Sequence, residues 1–319
     1  MNFWAELKKL NRPTYALAPM DGVTDFVHRE IVATTAKPDV FYTEFTNVEG
    51  LNSRGFESTV RRLKFSENQR YIVAQLWGKN PENFNKAAKL VKDMGFDGID
   101  LNMGCPETRV MKMKLGAALI GNNGLAQELI EAIKEGGRGL AISVKTRIGI
   151  DTIVTESWIE FLLSQGLDEL TIHGRTAREM SKVPVHWDQI ELAVQIKNKI
   201  SPATVILGNG DVKYCADAEN LCGVHGIDGV MIGKGIFSNP WVFEKKPKIH
   251  SEQEYIDLLL RHTKLYGETY PDKRQFGPMK KFILNYLKNV KNAQNLKEKI
   301  IHTSNYNEVH DTINLFYKS

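Results

Sequence analysis

Cys105 is the residue that stands out for chemistry, and it lies in the segment Asn102-Met103-Gly104-Cys105-Pro106. A thiol with an ordinary pKa of about 8.5 is mostly protonated at neutral pH, so it can act as a general acid without special tuning. Gly104 and Pro106 on either side would hold its loop in a fixed, close approach. Asn102 brings an amide that can both donate and accept hydrogen bonds. Other reactive or polar groups close a series of apolar runs: Pro19-Met20-Asp21, Glu44, Gln75, Lys145, His173, Asn209-Gly210-Asp211 and Gly233-Lys234-Gly235. Singly, each has a bland explanation: a snorkelling lysine, a hydrogen-bonded histidine, a glycine that turns the chain. Together, at equivalent places in successive runs, they are hard to explain as packing.

Eight β-type runs position these groups: Tyr15–Met20, Val40–Phe45, Tyr71–Trp77, Gly98–Gly104, Leu140–Ile148, Glu169–Arg175, Thr204–Gly210 and Gly229–Gly235. Most are apolar without strict alternation, as expected of parallel strands buried on both faces. Amphipathic helices lie between most of them. One, Pro81 to Met94, opens on Asn80 as cap and closes before Gly95. Strand–helix alternation carried to eight predicts an α/β fold, a (β/α)₈ TIM barrel, with the chemistry at the C-terminal ends of the strands. A doubly wound open sheet would carry a G-x-G-x-x-G turn, and none occurs. The glycine-rich ends of the last two strands suit a phosphate, since backbone N–H groups can approach an anion there and Lys234 adds charge.

After Pro240-Trp241 the pattern becomes helical. Met279, Phe282, Ile283, Tyr286, Leu287 and Val290 mark one helix face, and Tyr255, Leu258, Leu259 and Leu265 mark another upstream. Two domains are expected: a barrel over 1–243 and a small all-helical C-terminal domain over 244–319, joined through Lys245-Lys246-Pro247-Lys248. The charge is uneven. Residues 1–243 hold 28 basic against 29 acidic side chains, whereas residues 244–300 hold 13 against 7. That bias suggests a polyanionic partner, although a solvated helical face can look the same. No apolar run approaches the ~20 residues of a membrane span. The first ten residues lack the apolar core of a signal peptide, so a cytoplasmic protein without membrane attachment is expected. Cys215 and Cys222 read as small core residues of one helix, with no zinc-ligand spacing, so no structural metal is expected. A monomer is expected.

The segments Ala18-Pro19-Met20-Asp21-Gly22-Val23-Thr24-Asp25, Asn102-Met103-Gly104-Cys105-Pro106, Lys145-Thr146-Arg147, His173-Gly174-Arg175-Thr176, Asn209-Gly210-Asp211-Val212 and Gly233-Lys234-Gly235 resemble the tRNA-dihydrouridine synthase family, in family order from about residue 14 to 243. The helical region resembles that family's RNA-binding domain more loosely, through Phe276 to Tyr286. The resemblance implies a bound FMN, reduced by NADPH, that passes hydride to C6 of a uridine in tRNA while Cys105 protonates C5. It implies FMN contacts from Pro19, Met20, Asp21, Gln75, Lys145, His173, Asn209, Gly210, Asp211, Gly233 and Lys234, with Lys145 and Gln75 facing the carbonyl and ring-nitrogen edge of the flavin. Asn102 would meet the uridine, and Arg175, Arg178, Lys280, Lys281 and Lys288 would bind RNA phosphates. Lys234 stands where the family more often has Arg, and Met180-Ser181-Lys182-Val183 replaces its usual aromatic and glycine.

Three other readings stay open. A flavin barrel acting on a small molecule would need neither the Cys105 loop nor a basic helical region. An RNA-binding protein without catalysis would not be expected to keep Cys105, Lys145 and Gln75 together. The same chemistry on ribosomal RNA is excluded by nothing in the sequence.

Overall fold

The computed structural model describes residues 2–271 and 276–318. Its strands are β1 Thr14–Leu17, β2 Val40–Tyr42, β3 Thr46–Asn47, β4 Ile72–Trp77, β5 Gly98–Met103, β6 Ala141–Arg147, β7 Glu169–His173, β8 Val205–Asn209 and β9 Gly229–Ile232. Every pairing is parallel, in the order β2-β1-β9-β8-β7-β6-β5-β4-β3, and β2 pairs back onto β4 to close the cylinder. The eight-stranded barrel read from the sequence is therefore present. Its second run breaks at Tyr42, and β3 resumes as a two-residue strip beside the end of β4.

The strand sequences have a second pattern, at period two. Gln75; Asp100 and Asn102; Ser143, Lys145 and Arg147; Glu169, Thr171 and His173; and Asn209 occupy alternate positions and point one way. They meet across the interior, where Tyr42 Oη donates to Glu169 Oε2 at 3.1 Å and Lys145 Nζ donates to Asn209 Oδ1 at 3.1 Å. The intervening residues, such as Leu101, Val144, Leu170 and Ile206, are wholly buried against the outer helices. A barrel core that turns polar toward one end is what a site at the strand ends requires.

The opposite end is sealed by the helix Phe3–Lys8, whose Phe3, Trp4 and Leu7 join Val40, Val73, Ala141, Val205 and Leu207 in one apolar cluster. One device recurs at this end. An Asp directly before β2, β5, β7 and β9 accepts the N–H of a neighbouring strand: Asp39 from Tyr15 (2.9 Å), Asp97 from Ile72 (2.8 Å), Asp168 from Ile142 (2.8 Å) and Asp228 from Ile206 (2.8 Å). Each is also held by a side-chain donor, respectively Arg12, Arg70, Asn2 and Lys197. These pairs fix the strand register against a one-residue slip, which would exchange the polar interior for the apolar exterior.

The chain divides into two compact units, Met1–Phe26 with Pro38–Gly235, and Val27–Lys37 with Ile236–Ser319. The sequence placed this division at 243/244 and gave the first long helix to the barrel. Buried apolar surface decides otherwise, because Val27, His28, Ile31 and Val32 of the helix Phe26–Thr35 segregate with the C-terminal helices. That second unit contains the helices Glu252–Thr269, Met279–Tyr286, Gln294–Ile300 and Tyr306–Lys318. The stripe Met279, Phe282, Ile283, Tyr286, Leu287 and Val290 is buried as predicted. In the preceding helix the buried face is Ile256, Leu258, Leu259, His262, Thr263 and Tyr266, so Leu258 and Leu259 of the expected stripe are buried while Tyr255 and Leu265 lie on its flank. Among the described residues no helix is long and apolar enough to cross a membrane.

Candidate active site

Cys105 follows directly from the end of β5, in a loop held from three sides. Asn102 Oδ1 accepts the backbone N–H of Gly104 at 3.2 Å and of Cys105 at 3.0 Å, the local turn a short amide side chain makes readily. From behind, Ala117 N donates to Cys105 O at 3.0 Å. Gly116 there has φ +60°, and a Cβ on it would lie 2.7 Å from Cys105 O. From the side, Arg147 Nε donates to Gly104 O at 2.8 Å, and its Nη1 reaches Thr176 O at 3.0 Å and Met180 O at 3.3 Å. One buried guanidinium thus ties the thiol loop to the loop after β7. Burial pushes the half-buried Cys105 thiol above its ordinary pKa, while Arg147 and Lys145 pull it down. The group is a protonated thiol at neutral pH, with two cations that favour the thiolate once its proton has left.

Lys145 is the centre of a second group. Its Nζ donates to Asn209 Oδ1, and Asn209 Nδ2 donates to Met231 O at 2.7 Å, so the lysine is aimed by a fixed amide. Burial and then Arg147 lower its pKa to about 8, against the pull of Asp100 and Glu169. His173 is held far below its usual range by burial and by Arg147, Lys145, Arg175 and Lys234, so its ring is neutral. Its Nε2 lies 3.4 Å from Arg175 Nη1. Gly210 has φ +128°, and a Cβ there would press within 2.7 Å of Val185 and 3.3 Å of the His173 ring. At Gly233 a Cβ would meet only Ala18 Cβ at 3.5 Å and Met20 Sδ at 3.7 Å, so backbone is open beside Met20. An ammonium, amide N–H groups and bare backbone at two adjacent strand ends suit a ligand with carbonyl and phosphate oxygens.

The family model described as Dihydrouridine synthase (Dus) matches residues 16–318. The chain belongs to the dihydrouridine synthase family. Among curated proteins it is 42% identical over 318 residues to a "Probable tRNA-dihydrouridine synthase" of Staphylococcus aureus (strain COL), covering 99% of this chain and 95% of that one. It is also 42% identical over 311 residues to "Probable tRNA-dihydrouridine synthase 2" of Bacillus subtilis (strain 168), covering 97% and 94%. Among solved structures, morphinone reductase in complex with tetrahydroNAD is similar at a TM-score of 0.49, with 14% identity over 72% of this chain and 84% of that chain. As a dihydrouridine synthase the protein is a flavin-dependent oxidoreductase.

Within this dihydrouridine synthase, several residues singled out in the sequence sit differently from expectation. Gln75 has no exposed surface, and its amide is bonded at both ends, which leaves it one N–H and one lone pair. Asn102 is 7% exposed with its oxygen committed to the thiol loop, so only one N–H remains for a base. Arg175 is not presented to solvent phosphates. It is 3% exposed, its Nε donates to Val183 O at 2.7 Å, and both its terminal nitrogens grip the carboxylate of Asp211. Asp211 is thereby spent on that pair, leaving its backbone for a ligand. Asp21 is likewise engaged, by Arg62, which also lies 3.4 Å from Glu44 Oε1. Arg178 is exposed, 3.5 Å from Asp151. Lys280 and Lys281 are half-buried, Lys281 with its Nζ 5.1 Å from the centre of the Phe282 ring, and Lys288 is exposed beside Asn285. Pro19, Met20 and Gly233 are half-buried, and Lys234 is exposed with Nζ 3.3 Å from Ser181 Oγ.

Sequence reasoning missed Asp100, Arg147 and Arg62 as parts of the site. For the first two a signal existed, because they lie two residues from Asn102 and Lys145 and share their face. Arg62 lies in a short 3₁₀ turn far from any strand end, and nothing in its neighbours announces a partner at residue 21. Among the described residues no group of three His, Cys, Asp or Glu could hold a metal ion.

Proposed function

We propose that the protein reduces the C5–C6 double bond of uridines in tRNA to 5,6-dihydrouridine, with FMN as the bound flavin, NADPH as reductant and Cys105 as general acid. The observation that carries this reading is the Cys105 loop: a thiol kept protonated by burial, pinned by Asn102 and Arg147, and facing two cations. The choice of tRNA is supported by the curated relatives, whose names carry it across nearly their whole length.

FMN, once reduced, supplies hydride for C6 of the base. The protein's own residues do the rest. The Lys145 ammonium and the remaining N–H of Gln75 would hold the carbonyl edge of the flavin. Met20 and Pro19 would lie against its ring, and the neutral His173, the amide of Asn209, and the backbone of Gly210, Asp211, Gly233 and Lys234 would hold its phosphate. The remaining N–H of Asn102 meets a uracil carbonyl. The thiol gives its proton to C5, Arg147 and Lys145 stabilise the thiolate left behind, and solvent reprotonates it. Flipping a uridine out of its stack costs a few kcal/mol, roughly what a handful of phosphate contacts returns. Arg178 of the barrel unit, and Lys280, Lys281 and Lys288 of the helical unit, supply those contacts.

The test is single-turnover reduction of unmodified tRNA transcript by pre-reduced protein. Cys105→Ala should still bind FMN and accept reducing equivalents from NADPH, yet reduce uridine about 10²–10⁴-fold more slowly, the usual contribution of a positioned acid. A wild-type rate in that variant would leave Cys105 as a structural thiol.

A further inference from the structure

Beneath the thiol loop lies a carboxylate that the reaction does not touch. Asp100 has no exposed surface and sits on β5 two residues before Asn102. Its Oδ2 accepts from Gln75 Nε2 at 2.7 Å and its Oδ1 from Ser143 Oγ at 2.7 Å. Gln75 Oε1 in turn accepts from Asn102 Nδ2 at 2.9 Å, and Asn102 Oδ1 accepts from the N–H groups of Gly104 and Cys105. We infer that Asp100 is a positioning residue for the Cys105 loop, acting through the amides of Gln75 and Asn102. The inference rests on the assignment of Cys105 as the acid.

The argument is one of donors and acceptors. A side-chain amide has an oxygen end and an NH₂ end of nearly the same shape, so its orientation is set only by what it faces. An ionised carboxylate accepts and cannot donate. Gln75 must therefore turn its NH₂ to Asp100, which leaves its oxygen toward Asn102. Asn102 must then turn its NH₂ to Gln75, which leaves its oxygen for the two backbone N–H groups of the loop. Reverse either amide and donor faces donor at the next link, in a buried site where an unmatched polar group is costly. Burial raises the Asp100 pKa to about 6, and Lys145 and the two donors oppose that rise. A proton on Oδ1, facing the Ser143 hydroxyl, would still leave Oδ2 an acceptor for Gln75. The orientation relay thus survives either protonation state.

The same chain settles which end of Gln75 carries the remaining N–H and which the remaining lone pair. One carboxylate therefore orients both the cofactor-side amide and the acid's loop. Ser143 is the internal control. It gives the same carboxylate a bond of the same length and lies off the relay.

The test uses flavin-loaded protein and two readouts. Alkylation of Cys105 by iodoacetamide, followed by mass spectrometry of its peptide across pH, reports the thiol without requiring turnover. Single-turnover uridine reduction reports catalysis. Asp100→Ala should change the alkylation rate at least about fivefold and slow reduction about 10–100-fold, as expected of a reactive group displaced by a fraction of an ångström. Asp100→Asn, whose oxygen can still face Gln75 while the Ser143 hydroxyl turns to accept, should stay within about threefold on both. Ser143→Ala should lower the melting temperature and leave both readouts within about twofold. In an Asn102→Ala background, Asp100→Ala should slow reduction no further, since residues acting through one link are not additive.

The proposal is overturned if Asp100→Ala and Ser143→Ala move both readouts alike, or if Asp100→Ala slows the Asn102→Ala protein as much as it slows wild type. Should Asp100→Ala fail to fold, Gln75→Met cuts the relay one link further on, and the same change in thiol alkylation is required of it. Failure of the acid assignment looks different: Cys105→Ala would then reduce uridine at the wild-type rate, and the alkylation arm alone would decide the role of Asp100.

Discussion

At the scale of single residues, the site is a set of pKa values pushed apart by burial and by neighbouring charge. Cys105 rises and stays protonated, Lys145 falls to about 8, and His173 is kept neutral. The two other cysteines make a useful contrast. Burial takes Cys215 and Cys222 up to about 12, with nearby carboxylates adding to the rise, where Cys105 has Arg147 and Lys145 opposing it. The value for Lys145 gives a prediction. If its ammonium holds the flavin edge, the apoprotein should lose affinity for FMN as pH rises through about 8, because binding favours the charged form and free enzyme begins to lose that proton there. Fluorescence titration should show affinity level below that pH and falling by up to about tenfold per unit above it. Lys145→Ala should bind more weakly at every pH and show no such break.

At the scale of elements, the helical unit holds a pair of buried histidines. His28 and His262 lie 5.8 Å apart between ring centres, both against Phe282, and His262 Nδ1 is 2.8 Å from Tyr286 Oη. Burial takes His28 down to about 3, with Arg29 and Lys281 adding to the effect, and burial likewise holds His262 well below its ordinary range. The folded unit thus refuses protons that the unfolded chain accepts below its ordinary histidine pKa of about 6.5. Stability from these groups is fully present above that pH and is lost as pH falls toward about 3, at up to about 1.4 kcal/mol per pH unit for each histidine. Thermal melts between neutral pH and about pH 5 should show the loss. His28→Phe, which keeps a ring against Phe282, should roughly halve the slope.

At the scale of the whole molecule, charge is distributed by unit. The excess of basic side chains lies within residues 244–300, and the barrel sequence is nearly balanced. Replacing Lys280, Lys281 and Lys288 together by Ala should weaken tRNA binding and flatten its salt dependence, while FMN content and NADPH oxidation stay near wild type. Full release of three counterions would lower the logarithmic salt slope by about 2–3. Two of the three are half-buried, so a change of about 1–2 is expected, read from binding titrations across ionic strength. An unchanged slope would mark this face as solvated only.

The amino-acid sequence by itself determined the barrel, because eight apolar runs spaced by amphipathic helices leave few other ways to bury strands on both faces. It also placed polar groups at the ends of successive strands, which the barrel gathers on one rim. The division of the chain was decided by tertiary structure. The helix Phe26–Thr35 follows β1 in sequence, yet its apolar face finds partners among the C-terminal helices. So was the fate of individual polar side chains. Arg175 and Asp21 look available in the sequence and are consumed by Asp211 and Arg62, residues 36 and 41 positions away. Asp100 shares the face of Asn102 in the sequence, but its bonds to Gln75 and Ser143 are seen only in the structure. Periodicity tells which face a residue takes, but a hydrogen bond needs its partner within about 3 Å. Only the pairing of β4 with β5 and of β5 with β6 brings them to that distance.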